Sequence, residues 1–230
     1  MVFHGFQKLT LLDFPGKVAA TLFTAGCNFR CPFCHNASLV THIENSETYT
    51  EDEVLNVLKK RQGVLDGVCL TGGEPLLQNG VGEFLSRVKA LGYAVKLDTN
   101  GSFPDKLKSL VESGIVDYVA MDIKNAKEKY AATAACERFS LAAIEESVDF
   151  LMKSGVDYEF RTTVVKGLHE IQDIEKIGLW IQGAEKYFLQ NFVDSGDLIG
   201  TGMAAFSVEE MQKMQKIAAL YVKNAAIRGI

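Results

Sequence analysis

Apolar and polar positions along this chain follow two alternating periods. Short runs rich in β-branched and apolar residues read as strands: VAATLFTA (18–25), GVCLTG (67–72), YAVKLDT (93–99), DYVAMDI (117–123), YEFRTTVV (158–165) and KYFLQNF (186–192). Helical spacing fills the gaps between them. TEDEVLNVLKKRQ (50–62) opens with Thr50 as N-cap, and Glu53 completes a capping box. GVGEFLSRVKALG (80–92) ends on a glycine suited to a C-cap. PDKLKSLVESG (104–114) carries Pro104 at its start and Gly114 at its end. SLAAIEESVDFLMKSG (140–155) and EIQDIEKIGLWIQG (170–183) repeat the scheme. SVEEMQKMQKIAALYVKNAA (207–226) is predicted as a last helix, with a capping box at Ser207 and Glu210.

Six strand-then-helix units predict an α/β fold with a parallel sheet and right-handed crossovers. The count suits an open doubly wound sheet or an incomplete barrel. Both gather ligands at the C-terminal ends of their strands. The residues just after each strand are therefore the candidates for chemistry. A cysteine cluster follows the first strand, TGGEP the second and DTNG the third.

Composition narrows the class. With 230 residues and no Pro/Gly-rich linker, the chain is expected to form one domain over 1–230 with a core that needs no staples. A net charge of −5 speaks against a nucleic-acid binder. No apolar run approaches the roughly 20 residues of a membrane span, and the start lacks a signal-peptide pattern. A cytoplasmic location without membrane contact is expected. There thiols stay reduced, so clustered cysteines suggest metal or catalysis rather than disulfides.

Cys27, Cys31 and Cys34 form a C-x3-C-x2-C cluster, while Cys69 lies in a strand and Cys136 in a loop. The two outlying cysteines read as small buried hydrophobes. Three chemistries compete for the cluster. A closed zinc site needs four ligands, and His35 is awkwardly placed to be the fourth. A redox pair at Cys31 and Cys34 leaves Cys27 unexplained. An iron–sulfur cluster on three thiolates leaves one iron open, as a catalytic site requires.

The C-x3-C-x2-C spacing with Phe33 just before the third cysteine resembles the signature of the radical S-adenosylmethionine (SAM) enzymes. The resemblance implies an incomplete (β/α)6 TIM-like barrel. It also implies a [4Fe-4S] cluster on Cys27, Cys31 and Cys34, whose open iron is chelated by SAM. Reductive cleavage of SAM in that family yields a deoxyadenosyl radical that abstracts hydrogen. Phe33 and His35 would lie at the cofactor, Phe33 near the adenine. TGGEP resembles the family's GGE motif, which places Gly72, Gly73 and Glu74 at the methionyl ammonium, a pairing a carboxylate favours.

LDTNG (97–101) and MDIKN (121–125) put charges at the ends of apolar strands, where they need partners. Both resemble the glycyl-radical-enzyme activating enzymes. There the D-x-K pair, here Asp122 and Lys124, contacts SAM, and the aspartate before T-N-G, here Asp98, helps form a monovalent cation site. Arg161 fits the same mouth as a bidentate carboxylate binder. His169 reads as a surface-loop residue. Some activating enzymes have a cofactor-touching histidine after the sixth strand. This chain has FLQNFVDSG instead, where Gln190 or Asn191 could substitute.

The opening KLTLLDFPGK, followed by AGCNFRCPFCHN, is most similar to the longer type of anaerobic ribonucleoside-triphosphate reductase activating protein. It is less similar to pyruvate formate-lyase activating enzymes. No second cysteine motif lies between Cys34 and Gly72, so the resemblance implies a single cluster and a separate donor, flavodoxin or ferredoxin. The implied activity is hydrogen abstraction from a glycine of a large partner enzyme. A radical SAM enzyme acting on a small molecule is one alternative. A non-enzymatic metal-binding interaction module is another.

Overall fold

The computed structural model describes residues 1–43, 47–136 and 138–229. The chain opens with β1 (Val2–Phe3), β2 (Gly5–Thr10) and β3 (Ala19–Thr24). A short helix α1 (Ala37–Thr41) and a two-residue strand β4 (Tyr49–Thr50) lead to α2 (Glu51–Lys60). Strands and helices then alternate: β5 (Gly67–Gly72), α3 (Val81–Ala90), β6 (Ala94–Thr99), α4 (Pro104–Glu112) and β7 (Tyr118–Asp122). After them come α5 (Tyr130–Ala134), α6 (Leu141–Ser154), β8 (Asp157–Val164), α7 (Ile171–Trp180), β9 (Lys186–Asn191), α8 (Val208–Ala218) and β10 (Asn224–Arg228).

The main sheet runs β10-β9-β8-β7-β6-β5-β3-β2, and only β2 is antiparallel. From β3 to β10 the spatial order follows the chain order. A doubly wound sheet would reverse direction part-way and put helices on both faces. Here every right-handed crossover leads the same way, so the helices collect on one face. The opposite face becomes the inside of an open, barrel-like wall. The six expected strands are all present, and the capping boxes at Thr50/Glu53 and Ser207/Glu210 form.

Strand alternation divides the side chains between these two faces. Val95, Leu97, Phe160 and Leu189 pack with Leu85, Leu107, Ile144 and Ile177 of the helices in one buried cluster. Positions of the other parity, among them Cys69, Lys96, Asp98, Glu159 and Arg161, line the inner face. Small residues open space at its base. A Cβ on Gly67 would come 2.9 Å from the Phe14 ring, and Phe14 packs there with Ala19, Ala94 and Tyr118. The LLDFPGK segment thus plugs the end opposite the strand C-termini.

The end of the chain departs from expectation. The helix predicted over 207–226 stops at Ala218, and Asn224–Arg228 forms a seventh parallel strand on β9. Arg228 makes a two-pronged bond to Glu159, at 2.8 and 3.0 Å, and lies over the Phe188 ring. Backbone pairing and a partner for a buried carboxylate outweigh the local helical preference.

Candidate active site

The C-terminal ends of β3 to β9 surround one pocket. Cys27, Cys31, Phe33, Cys34, His35, Gly72, Gly73, Asp98, Asp122, Lys124 and Arg161 all line it. These are the sequence-predicted residues with one exception. Glu74 is fully buried beneath the wall. Its carboxylate accepts from the backbone N–H groups of Leu76 (3.0 Å) and Asn100 (2.7 Å) and from the Thr99 hydroxyl (2.9 Å). Burial pushes its carboxyl up to about 7 against the pull of those donors.

The glycines before Glu74 are demanded by backbone packing. The N–H groups of Gly73 and Glu74 donate to the carbonyls of Thr24 and Gly26. A Cβ on Gly73 would lie 2.0 Å from the Gly26 carbonyl oxygen, and one on Gly72 would lie 2.3 Å from that of Thr24. Gly72 also has φ +113°, which favours glycine. The end of β5 is thereby locked to the start of the cysteine loop. Asn36 adds a tie from its amide to the Gly72 carbonyl, at 2.9 Å.

The cysteine loop is held from both sides. The Arg30 N–H donates to Ala134 of α5, and Gly200 donates to the Pro32 carbonyl. Phe29 packs edge-on to Tyr130 and Phe139. The Asn100 amide reaches Cys27 Sγ at 3.8 Å and Asn28 at 2.9 Å. Burial pushes the Cys31 thiol up to about 12, opposed by the Lys124 ammonium. Burial raises Cys27 too, with the Phe29 N–H pulling the other way. Thiols held this high ionise only against added positive charge, which is what a metal centre brings. Among the described residues no three His, Cys, Asp or Glu side chains converge as ligands of a single ion would. The three thiols of one loop nevertheless line one pocket.

Opposite the cysteines stands a charged wall. Arg161 donates from Nε to Asp122 (2.9 Å) and from an Nη to Asp98 (3.2 Å). Lys124 donates to the other Asp122 oxygen at 3.0 Å. Asp98 also accepts from the Thr71 hydroxyl at 3.1 Å and from the Lys96 ammonium below it. Burial works against both aspartates, yet Arg161 and the neighbouring lysines hold them low, Asp122 at about 2.

The aromatic rim differs in part from expectation. Phe33 lines the pocket with its ring edge-on to His169. His169 is not a surface residue: it is 2% exposed. Its Nδ1 accepts from the Val165 N–H (3.1 Å), and Nε2 lies 2.8 Å from the Lys124 carbonyl. Both bonds suit a neutral ring, and burial holds its basicity down. His35 stacks on Phe192, and its Nε2 meets the Val193 carbonyl at 2.9 Å. Gln190 lines the pocket, whereas Asn191 turns away to bond the Phe206 backbone. Asn36, Thr71, Asn100 and Thr163 also line it and were not foreseen. Thr71, Asn100 and Asn36 fall inside the TGGEP, LDTNG and AGCNFRCPFCHN stretches, whereas Thr163 is a lone neutral strand residue without a sequence signal.

Comparisons with known proteins identify the family. Residues 21–181 match the model of the Radical SAM superfamily. A protein of Methanocaldococcus jannaschii named "Putative glycyl-radical enzyme activating enzyme" is 32% identical over 98% of this chain and 95% of its own length. The pyruvate formate-lyase-activating enzyme of Listeria monocytogenes is 33% identical over 53% of this chain and 52% of its own. Streptococcus suis SuiB bound to S-adenosylmethionine is similar with a TM-score of 0.71 at 11% identity, covering 90% of this chain and 49% of that one. At that identity the likeness speaks for the fold alone.

Proposed function

The chain belongs to the radical SAM superfamily, in its glycyl-radical-enzyme activating branch, and we propose that its partner is an anaerobic ribonucleoside-triphosphate reductase. One observation carries the reading of the site. The three cysteines and the strand-end residues Gly72, Gly73, Asp98, Asp122, Lys124 and Arg161, far apart in sequence, line a single pocket.

Cys27, Cys31 and Cys34 would hold a [4Fe-4S] cluster. Bound together, cluster and S-adenosylmethionine supply one-electron cleavage of a carbon–sulfur bond and a radical able to take a hydrogen atom. The chain's own residues position and shield. The backbone at Gly72 and Gly73 receives the methionyl ammonium, with the Glu74 carboxyl supporting that turn from beneath. Asp122, Lys124 and Arg161 receive the methionyl group's charged end. Arg161 supplies the guanidinium fork that suits a carboxylate. Phe33 and His35 flank the cysteine loop where an adenine would lie. No side-chain base is required, so selectivity rests on positioning and exclusion of water.

The KLTLLDFPGK and AGCNFRCPFCHN stretches support the choice of partner through their resemblance. The glycine loop of that partner would enter at the strand C-termini, where the wall from β2 to β10 stays open among the described residues. A flavodoxin or ferredoxin would supply the electron. We read residues 1–230 as one domain acting in the cytoplasm; no described helix is long and apolar enough to cross a membrane.

Anaerobic reconstitution tests the chemistry. A brown protein with about four irons per chain that releases methionine from S-adenosylmethionine on reduction is expected. A colourless zinc protein would sink the proposal. Mixing with candidate partners and recording electron-spin resonance tests the assignment. A glycyl signal with pyruvate formate-lyase but none with the reductase would move the partner, and turnover of a small molecule alone would move the substrate class.

A further inference from the structure

Resemblance implies a monovalent cation at Asp98, and the residues present do not fit one. All four oxygens of the two wall aspartates already face donors. On Asp98, one oxygen meets the Lys96 ammonium, and the Cys69 thiol at 3.8 Å. The other meets Arg161 at 3.2 Å and Thr71 at 3.1 Å. On Asp122, one oxygen meets Arg161 at 2.9 Å and the other Lys124 at 3.0 Å. A metal ion on these carboxylates would sit against an ammonium and a guanidinium.

Lys96 is the unusual member. Its side chain is 2% exposed, on the inner face one alternation below Asp98. Nothing in the proposed reaction uses it. Without Lys96 the wall would hold two cations and two carboxylates. With it, three cations face the two wall carboxylates, and each aspartate is held by two of them. Two further acids lie lower on this face: Glu159, paired with Arg228, and Asp13, bonded by the Thr21 hydroxyl in the row of Lys96.

We propose that Lys96 is a resident cation. Its ammonium takes the place of a monovalent metal ion, fixing Asp98 and through it the Arg161 fork that receives the carboxylate of S-adenosylmethionine. The inference rests on the pocket being the site of that cofactor. Lys96 is a positioning residue and touches no reacting atom. The strand pattern carries it plainly, since K-x-D on one strand puts both charges on one face.

The test uses the reconstituted holoprotein at constant ionic strength, with potassium, sodium or tetramethylammonium as sole cation. Equilibrium binding of S-adenosylmethionine to the unsubstituted protein is expected to vary by less than about two-fold among the three. Its thermal midpoint is expected not to depend on which cation is present. Lys96→Met is expected to weaken binding about ten-fold in tetramethylammonium, with potassium or sodium restoring part of the loss. Should that variant not fold, Lys96→Gln serves, and the unsubstituted protein alone decides the cation question. A gain of about ten-fold in affinity with potassium or sodium, or a midpoint raised by either, overturns the inference and leaves the cofactor reading standing. Failure of the unsubstituted protein to bind S-adenosylmethionine under any cation overturns the cofactor reading itself, and this inference with it.

Discussion

Arg161→Met removes the cation that joins the two wall aspartates, and its cost follows from their surroundings. The Asp122 carboxyl sits at about 2 instead of the usual 3.8, because Arg161 and then Lys124 outweigh its burial. That difference is worth roughly 2 kcal/mol of folding free energy at neutral pH, with Arg161 the largest favourable contributor. Asp98 is likewise held low, by Arg161 and then Lys96. Breaking a buried pair from one side costs about 3–5 kcal/mol, and a lysine remains on each aspartate here. The expected loss is about 3 kcal/mol at pH 7. The sign with pH is fixed too. Carboxyls depressed in the folded state stabilise it above their unfolded value, and that stability drains as pH falls through the folded one. The unsubstituted protein should therefore weaken steadily below about pH 4, and the variant less steeply. Urea unfolding of the reduced, cluster-free chain at neutral and acid pH measures both. A loss below about 1 kcal/mol at pH 7, or an unaltered acid slope, would refute the account of the wall.

Three further outcomes are expected. Cys34→Ala should abolish release of methionine from S-adenosylmethionine by the reduced holoprotein, while Cys136→Ala leaves it intact; equal loss in both would mean the cluster has been misplaced. Gly73→Ala puts a methyl 2.0 Å from the Gly26 carbonyl oxygen, so it should cost well over 2 kcal/mol in urea unfolding, whereas Gly80→Ala, with open space around it, should cost only about 1 for its left-handed backbone. His169→Gln should cost about 1–3 kcal/mol through two buried hydrogen bonds. Because burial keeps His169 neutral when folded, the unsubstituted protein should lose stability as pH drops below about 6.5, and the variant should lack that loss; a matching profile in both would count against a neutral buried ring.

Much of the frame was legible because its signals are local. Alternation marks Ala94–Thr99 as a strand with Val95 and Leu97 on one side and Lys96 and Asp98 on the other. Thr50 with Glu53, and Ser207 with Glu210, announce their helices from four residues each. The failures share one cause, partners distant in sequence. Asn224–Arg228 becomes a strand only because β9 offers an edge and Glu159 a carboxylate for Arg228. His169 is buried only because the Lys124 carbonyl and the Phe33 ring lie over it. Glu74 read as a ligand-facing carboxylate, yet its three donors at Leu76, Thr99 and Asn100 draw it under the wall.

Register is what turns these local signals into a site. Spacing in sequence puts Lys96 with Asp98, and Glu159 with Arg161, on common faces. It does not say which anion meets which cation. Parallel pairing sets Asp122 opposite Arg161, and Asp98 opposite Ala120, whose small side chain lets the guanidinium cross β7 to reach Asp98. The same register is fixed from the other face, where Tyr158 and Phe160 join the helix-side core. A slip of one residue in β8 would aim Phe160 into the pocket and drive Arg161 into that core. Apolar packing on the outer face is thus what aligns the charges on the inner one, and the wall's electrostatics are only as well placed as the hydrophobic layer behind them.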